Sequence, residues 1–140
     1  MPRTVAASIP RAAALVAATL VALVCTGCGE SEEPTFGEDD RSVAVETGER
    51  FRVELAANPG VGDDWNLAKG PDPAVARLLE EGFESDAGDD VVGAPGVEYF
   101  VFEAVAPGMT EIVLRYCYRG CGSAEGESLE RLVALDVAVS

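Results

Sequence analysis

The chain has 140 residues, with 25 acidic and 10 basic side chains, no histidine and a net charge of −15. That length holds one domain. The charge argues against nucleic acid as a partner and against docking of the protein part on anionic lipid, because both need a basic face, and the lack of histidine rules out every Ser-His-Asp or Cys-His arrangement.

At the N-terminus, Arg3 and Arg11 precede an apolar run from Ala12 to Val24. A membrane-spanning helix needs about 20 apolar residues, so this shorter run reads as an export signal. It ends in Cys25-Thr26-Gly27-Cys28, which resembles a bacterial lipoprotein cleavage box, with Cys25 where leucine is usual. Residues 1–27 are therefore expected to be a lipoprotein signal peptide and Cys28 the lipidated residue. The protein would be exported and lipid-anchored at the cell membrane or envelope. An ordinary signal peptide cut nearby is the alternative. Residues 28–41 are polar and acidic with Phe36 as their one aromatic, and are expected to form a flexible tether. The folded domain is expected over 42–140.

From Ser42 the pattern becomes that of strands. Val43 and Val45 alternate with polar neighbours, as do Phe51, Val53 and Leu55 with Arg50, Arg52 and Glu54. Period-two alternation marks a half-buried strand. A glycine-proline knot follows, Asn58-Pro59-Gly60-Val61-Gly62, and Trp65 and Leu67 resume the alternation. Asp72-Pro73 fits an N-cap with a first-turn proline, so a turn of helix leading into a strand is expected over 73–83. Ser85 to Asp90 is an acidic loop without the ligand spacing of an EF-hand. A second knot, Gly93-Ala94-Pro95-Gly96, opens the run Glu98-Tyr99-Phe100-Val101-Phe102. Phe100, Phe102 and Ala104 share one face. Ala106-Pro107-Gly108 turns the chain, and Ile112, Leu114 and Tyr116 alternate after it. The last strand runs from about Leu129 to Val139. Seven or eight short strands with turn clusters between them predict an all-β, immunoglobulin-like antiparallel β-sandwich.

Cys117 and Cys121 are the cysteines of the expected domain. In an oxidising compartment they are expected to form a disulfide closing a small loop, worth roughly 2 kcal/mol by loop entropy. A metal site is the rival reading, but a chain without histidine offers it only two thiols. No cofactor and no metal are expected. Phosphate-cradling glycines need a following helix, whereas strand-like sequence follows both knots.

Taken in order, the knots resemble the signature loops of the chagasin-type inhibitors of papain-like cysteine peptidases. That family carries an Asn-Pro-x-x-Gly-x-x-Trp loop, matched by Asn58, Pro59, Gly62 and Trp65. Its glycine-rich loop is matched at Gly93 and Gly96, with Pro95 replacing a glycine. By position, a third loop, usually Arg-Pro-Trp, falls on Tyr118-Arg119-Gly120-Cys121, where only Arg119 corresponds. Gly60 and Val61 stand where two threonines are usual, and Asp63 where an aromatic is common. The resemblance spans roughly residues 42–140.

The resemblance implies an inhibitor and not an enzyme, with no catalytic residue of its own. It implies that Asn58, Pro59, Gly60, Val61 and Gly62 enter a peptidase cleft. Gly93, Ala94, Pro95 and Gly96, with Tyr118 and Arg119, would grip its rims. The partners expected are a papain-like cysteine peptidase and, through the lipid, a membrane; a monomer is expected. The alternatives are a structural or protein-binding envelope lipoprotein that keeps the sandwich without inhibition, and an envelope sensor for a small ligand. Trp65 is expected in the core.

Overall fold

A computed structural model describes residues 32–140 apart from 89, 123–126 and 128. The signal peptide and Cys28 lie outside the described residues. Eight strands follow in chain order: β1 (Thr35–Phe36), β2 (Ser42–Val45), β3 (Arg50–Ala57), β4 (Asp63–Lys69), β5 (Ala76–Ser85), β6 (Gly96–Ala104), β7 (Gly108–Tyr118) and β8 (Arg131–Val139). They form two four-stranded sheets, ordered β1-β3-β6-β5 and β2-β8-β7-β4. This is the expected all-β sandwich.

The alternating residues fill the space between the sheets. Phe51, Val53 and Leu55 of β3 and Phe100 and Phe102 of β6 face Ile112, Leu114 and Tyr116 of β7 and Val133, Leu135 and Val137 of β8, all buried. Phe51 and Phe102 are directly paired across the ladder and stack with centroids 5.3 Å apart. Their alternation works because successive side chains of a strand point to opposite faces, so one face can be wholly apolar.

The structure departs from expectation at the N-terminal edge. Residues 34–41, expected within a flexible tether, lie against the domain. β1 pairs in parallel with β3, and β2 pairs in parallel with β8. The sheets are therefore mixed and not purely antiparallel. One segment supplies an edge to each sheet in turn, and its direction makes both pairings parallel. Phe36 explains why so polar a stretch is ordered. Its ring sits edge-on to Phe51 at 6.3 Å, and Glu38 reaches Arg131 at 3.1 Å.

The turn before β5 is as expected, but it is short. Asp72 Oδ1 accepts the N–H of Ala74 at 2.9 Å, and its carbonyl accepts those of Val75 and Ala76. The backbone then extends into β5, because residues 76–85 pair with β6. The last strand begins at Arg131, two residues later than expected, with Leu129 exposed before it.

Trp65 is 3% exposed and packs on Tyr116 with ring centroids 5.4 Å apart. Its indole N–H donates to the carbonyl of Ala56 in β3, in the opposite sheet, at 3.1 Å. Trp65→Ala is expected to cost about 3–5 kcal/mol, a large share of the stability of a domain this size. Chemical denaturation of the two proteins measures the loss. A cost below about 1 kcal/mol would show that the indole is not a core element.

Candidate functional site

The first knot folds as a single 3-10 turn over Pro59–Val61. Asn58 organises it. Its Oδ1 accepts the N–H of Gly60 at 3.1 Å, and its carbonyl accepts the N–H of Val61 at 3.0 Å and of Asp63 at 3.2 Å. Proline suits the first position of this turn because its missing N–H is not needed there. Gly62 ends the turn with φ of 106°, a left-handed conformation that disfavours any side chain.

Three loops meet at this end of the sandwich. Asn58 Nδ2 donates to the carbonyl of Gly93 at 3.2 Å, joining the first knot to the second. A Cβ on Gly60 would lie 2.8 Å from the Gly93 Cα, so the two backbones touch where neither has a side chain. On the other side, the Arg119 N–H donates to the carbonyl of Gly62 at 2.7 Å, joining the first loop to the third. Arg119 has a φ of 54°, and its guanidinium lies over the Tyr118 ring at 5.2 Å. The Cys117–Cys121 disulfide is formed, with Cα atoms 5.0 Å apart. It closes the third loop at its base. Asn66 Nδ2 donates to Cys121 Sγ at 3.3 Å from the neighbouring strand.

The residues singled out in the sequence are thus brought together, with one exception. Gly96 is the first residue of β6 and is buried between strands. A Cβ there would lie 2.0 Å from the carbonyl oxygen of Glu84. Its glycine is required by the close approach of β5, not by a loop conformation. Gly93, Ala94 and Pro95 form the loop itself, and the Pro95 carbonyl accepts the N–H of Asp86 at 3.0 Å. Val61 is 54% exposed at the tip of the first loop, and Val92, beside the second, is fully exposed.

Sequence reasoning missed the residues beneath the loops. Asp63 Oδ2 accepts the N–H of Asn58 at 2.9 Å, while Oδ1 accepts the hydroxyl of Tyr116 at 2.6 Å. That bond, with burial, pushes the Tyr116 hydroxyl above its ordinary pKa. Arg131 lies over the rings of Tyr116 at 4.4 Å and Trp65 at 5.4 Å. Glu98, just after the second knot, accepts the backbone N–H of Trp65 at 2.9 Å. The alternation of residues 98–104 was the available signal, since it puts Glu98 on the same face as Phe100 and Phe102. Burial pushes the Glu98 carboxyl above its ordinary value near 4.5. The charges of Asp64 and Glu81 push the same way, against the Trp65 N–H.

A family model, Chagasin family peptidase inhibitor I42, matches residues 44–132. Several solved structures are similar in fold. The cysteine protease inhibitor EhICP2 from Entamoeba histolytica is 19% identical at a TM-score of 0.60, over 76% of this chain and 95% of its own. The solution structure of Amebosin is 20% identical at 0.61, over 77% of this chain and 98% of its own. PbICP-C, solved in complex with falcipain-2, is 16% identical at 0.51, over 77% of this chain and 91% of its own. No curated protein sequence is significantly similar to this chain.

The position of Glu98 has a pH consequence. Its folded pKa is raised above its unfolded one. Its contribution to stability is therefore fully present below the unfolded value and lost as pH rises through the folded one. Glu98→Gln keeps an acceptor for the Trp65 N–H and cannot ionise. The stability of the variant relative to wild type is expected to rise between pH 4 and pH 7 in denaturation curves. Parallel pH dependences would contradict the assignment.

Proposed function

Because the chain belongs to the chagasin family of peptidase inhibitors, we propose that it inhibits papain-like cysteine peptidases reversibly, by laying its three loops into the active-site cleft. The family is one of inhibitors, not enzymes, and this chain has no histidine with which to activate a nucleophile. The observation that carries the proposal is the convergence of the loops: Asn58 on Gly93, and Gly62 on Arg119. Among the similar structures, one is named a cysteine protease inhibitor and another is of PbICP-C in complex with falcipain-2.

The first loop is the central element of the wedge. Gly60 and Val61 carry no hydroxyl, so it acts by shape and apolar contact, with Val61 foremost. The second and third loops grip the rims through Gly93, Ala94 and Pro95 and through Tyr118 and Arg119. The disulfide supplies the stiffness that proline gives the usual third loop. A standard interface buries about 800 Å² per partner, within reach of three touching loops. Inhibition is by steric occlusion, and the inhibitor acts as a monomer.

The sequence before the domain supports a second part of the reading: export, cleavage before Cys28 and lipid attachment there. The few residues between Cys28 and Pro34 would link the lipid to the domain. Mass spectrometry of membrane fractions is expected to find a lipid-modified Cys28 at the mature N-terminus. A soluble form with unmodified Cys28 would contradict it.

Titration against a panel of papain-like peptidases tests the inhibitory reading. Competitive, reversible inhibition of at least one is expected. Silence across the panel up to high micromolar would favour a protein-binding lipoprotein, a reading to which the missing Pro-Trp of the third loop also points. Val61→Asp is expected to weaken inhibition tenfold or more, about 1.4 kcal/mol, by burying an unpaired charge in the cleft. It is expected to change folding stability by about 0.5 kcal/mol or less. Unaltered inhibition would remove this loop from the interface.

A further inference from the structure

We propose that Asp63 is the positioning residue of the inhibitory wedge, holding the first loop in its docking shape without touching the peptidase; the inference rests on the inhibitory reading above. Asp63 is half-buried at the exit of the loop. Its two carboxylate oxygens have different tasks. One accepts the N–H of Asn58, the residue that enters the loop, at 2.9 Å, and the other accepts the Tyr116 hydroxyl at 2.6 Å. The Asp63 N–H in turn donates to the Asn58 carbonyl at 3.2 Å. Entry and exit of the loop are thereby tied to each other twice.

The bond to Tyr116 fixes the tied loop to the sheet. Tyr116 is buried in β7, directly paired with Trp65 in β4 and with Arg131 in β8. Its ring lies against both side chains. The hydroxyl is thus carried on a rigid support, and Asp63 transmits that rigidity to Asn58. Asn58 then holds Gly60 and reaches Gly93.

A loop containing Gly60 and Gly62 has much backbone freedom to lose when it docks. Freedom removed in the free protein is not charged against binding. An aromatic residue, common at this position in the family, does not have the two acceptor oxygens of a carboxylate. In this chain the carboxylate organises a loop that has lost its usual threonines.

The chemistry of the site supplies a rescue test. Asp63→Ala removes both acceptors. Asp63→Asn preserves both contacts, because its oxygen accepts the Asn58 N–H while its amide nitrogen donates to the Tyr116 oxygen. The full exported protein and both variants are titrated against a peptidase that the wild type inhibits. Hydrogen exchange at the Asn58 amide is followed in the free proteins. Asp63→Ala is expected to raise Ki at least tenfold, mostly through faster dissociation, and to speed exchange at Asn58. Asp63→Asn is expected to stay within about threefold of wild type with the amide still protected. Val139→Ala, buried at the far end of the last strand, is a control for lost stability alone and is expected to leave Ki unchanged.

An Asp63→Ala protein that is folded and inhibits within twofold of wild type overturns the proposal. So does an Asp63→Asn protein as weak as the alanine variant, since charge and not positioning would then be at work. A wild type that inhibits no peptidase overturns the inhibitory reading and this proposal together. Wild-type inhibition with an indifferent Asp63→Ala overturns only the role of Asp63.

Discussion

One side chain holds the working end of this sandwich together. Trp65 belongs to β4, in one sheet, but its indole N–H bonds to the Ala56 carbonyl of β3 in the other. Its backbone N–H is taken by Glu98 of β6, also in the other sheet. Two sheets held only by apolar packing can slide at low cost, since burial is not directional. A directional bond at each side of Trp65 removes that freedom just below the loops. Ala56 precedes the first loop by two residues, and Glu98 follows Gly96 by two. The loops therefore rest on residues whose relative position is fixed.

Above that tie, the loops are joined mainly by their backbones. Gly60 meets the Gly93 backbone at a separation that leaves no room for a Cβ, and the Gly62 carbonyl accepts the Arg119 N–H. Glycine serves here for close contact at Gly60 and for turning at Gly62. The expected consequence is a compact edge whose shape is carried by main chain. The Cys117–Cys121 disulfide and the Asp63 carboxylate are the features that stiffen this edge in this chain. Both lie at loop bases.

The strong negative charge is distributed so that it does not compromise the core. No polar or charged residue is fully buried among the described residues. Several acids on the sheet faces and edges are matched by basic neighbours, as in Arg52 with Glu54 and Glu84, or Arg77 with Glu103. Glu98 is the exception that faces inward, and it does so at the end of the sandwich where the Trp65 N–H needs an acceptor. Solvent-exposed pairs contribute little individually. Their role is to let an acidic surface coexist with strands packed side by side.

The sequence alone determined the sandwich, because alternation in residues such as 51–55, 98–104 and 112–116 depends only on the period of a strand. It also placed the first knot and residues 93–95 of the second as loops, since glycine and proline act locally, and Trp65 in the core, since it is a large apolar residue in an alternating run; Gly96 instead opens β6. The chain could not reveal, without its fold, which strands share a sheet, or that residues 34–41 would be drawn in by Phe36. Those outcomes depend on partners far away in sequence. The same holds for the site. Asn58 and Gly93 were legible as loop residues, but their contact spans 35 positions, and that of Asp63 with Tyr116 spans 53. Asp63 read as a departure from the family pattern because a carboxylate has no periodicity to declare its role. Only the tertiary structure sets a loop amide and a tyrosine hydroxyl on either side of that acid, at the base of the first loop.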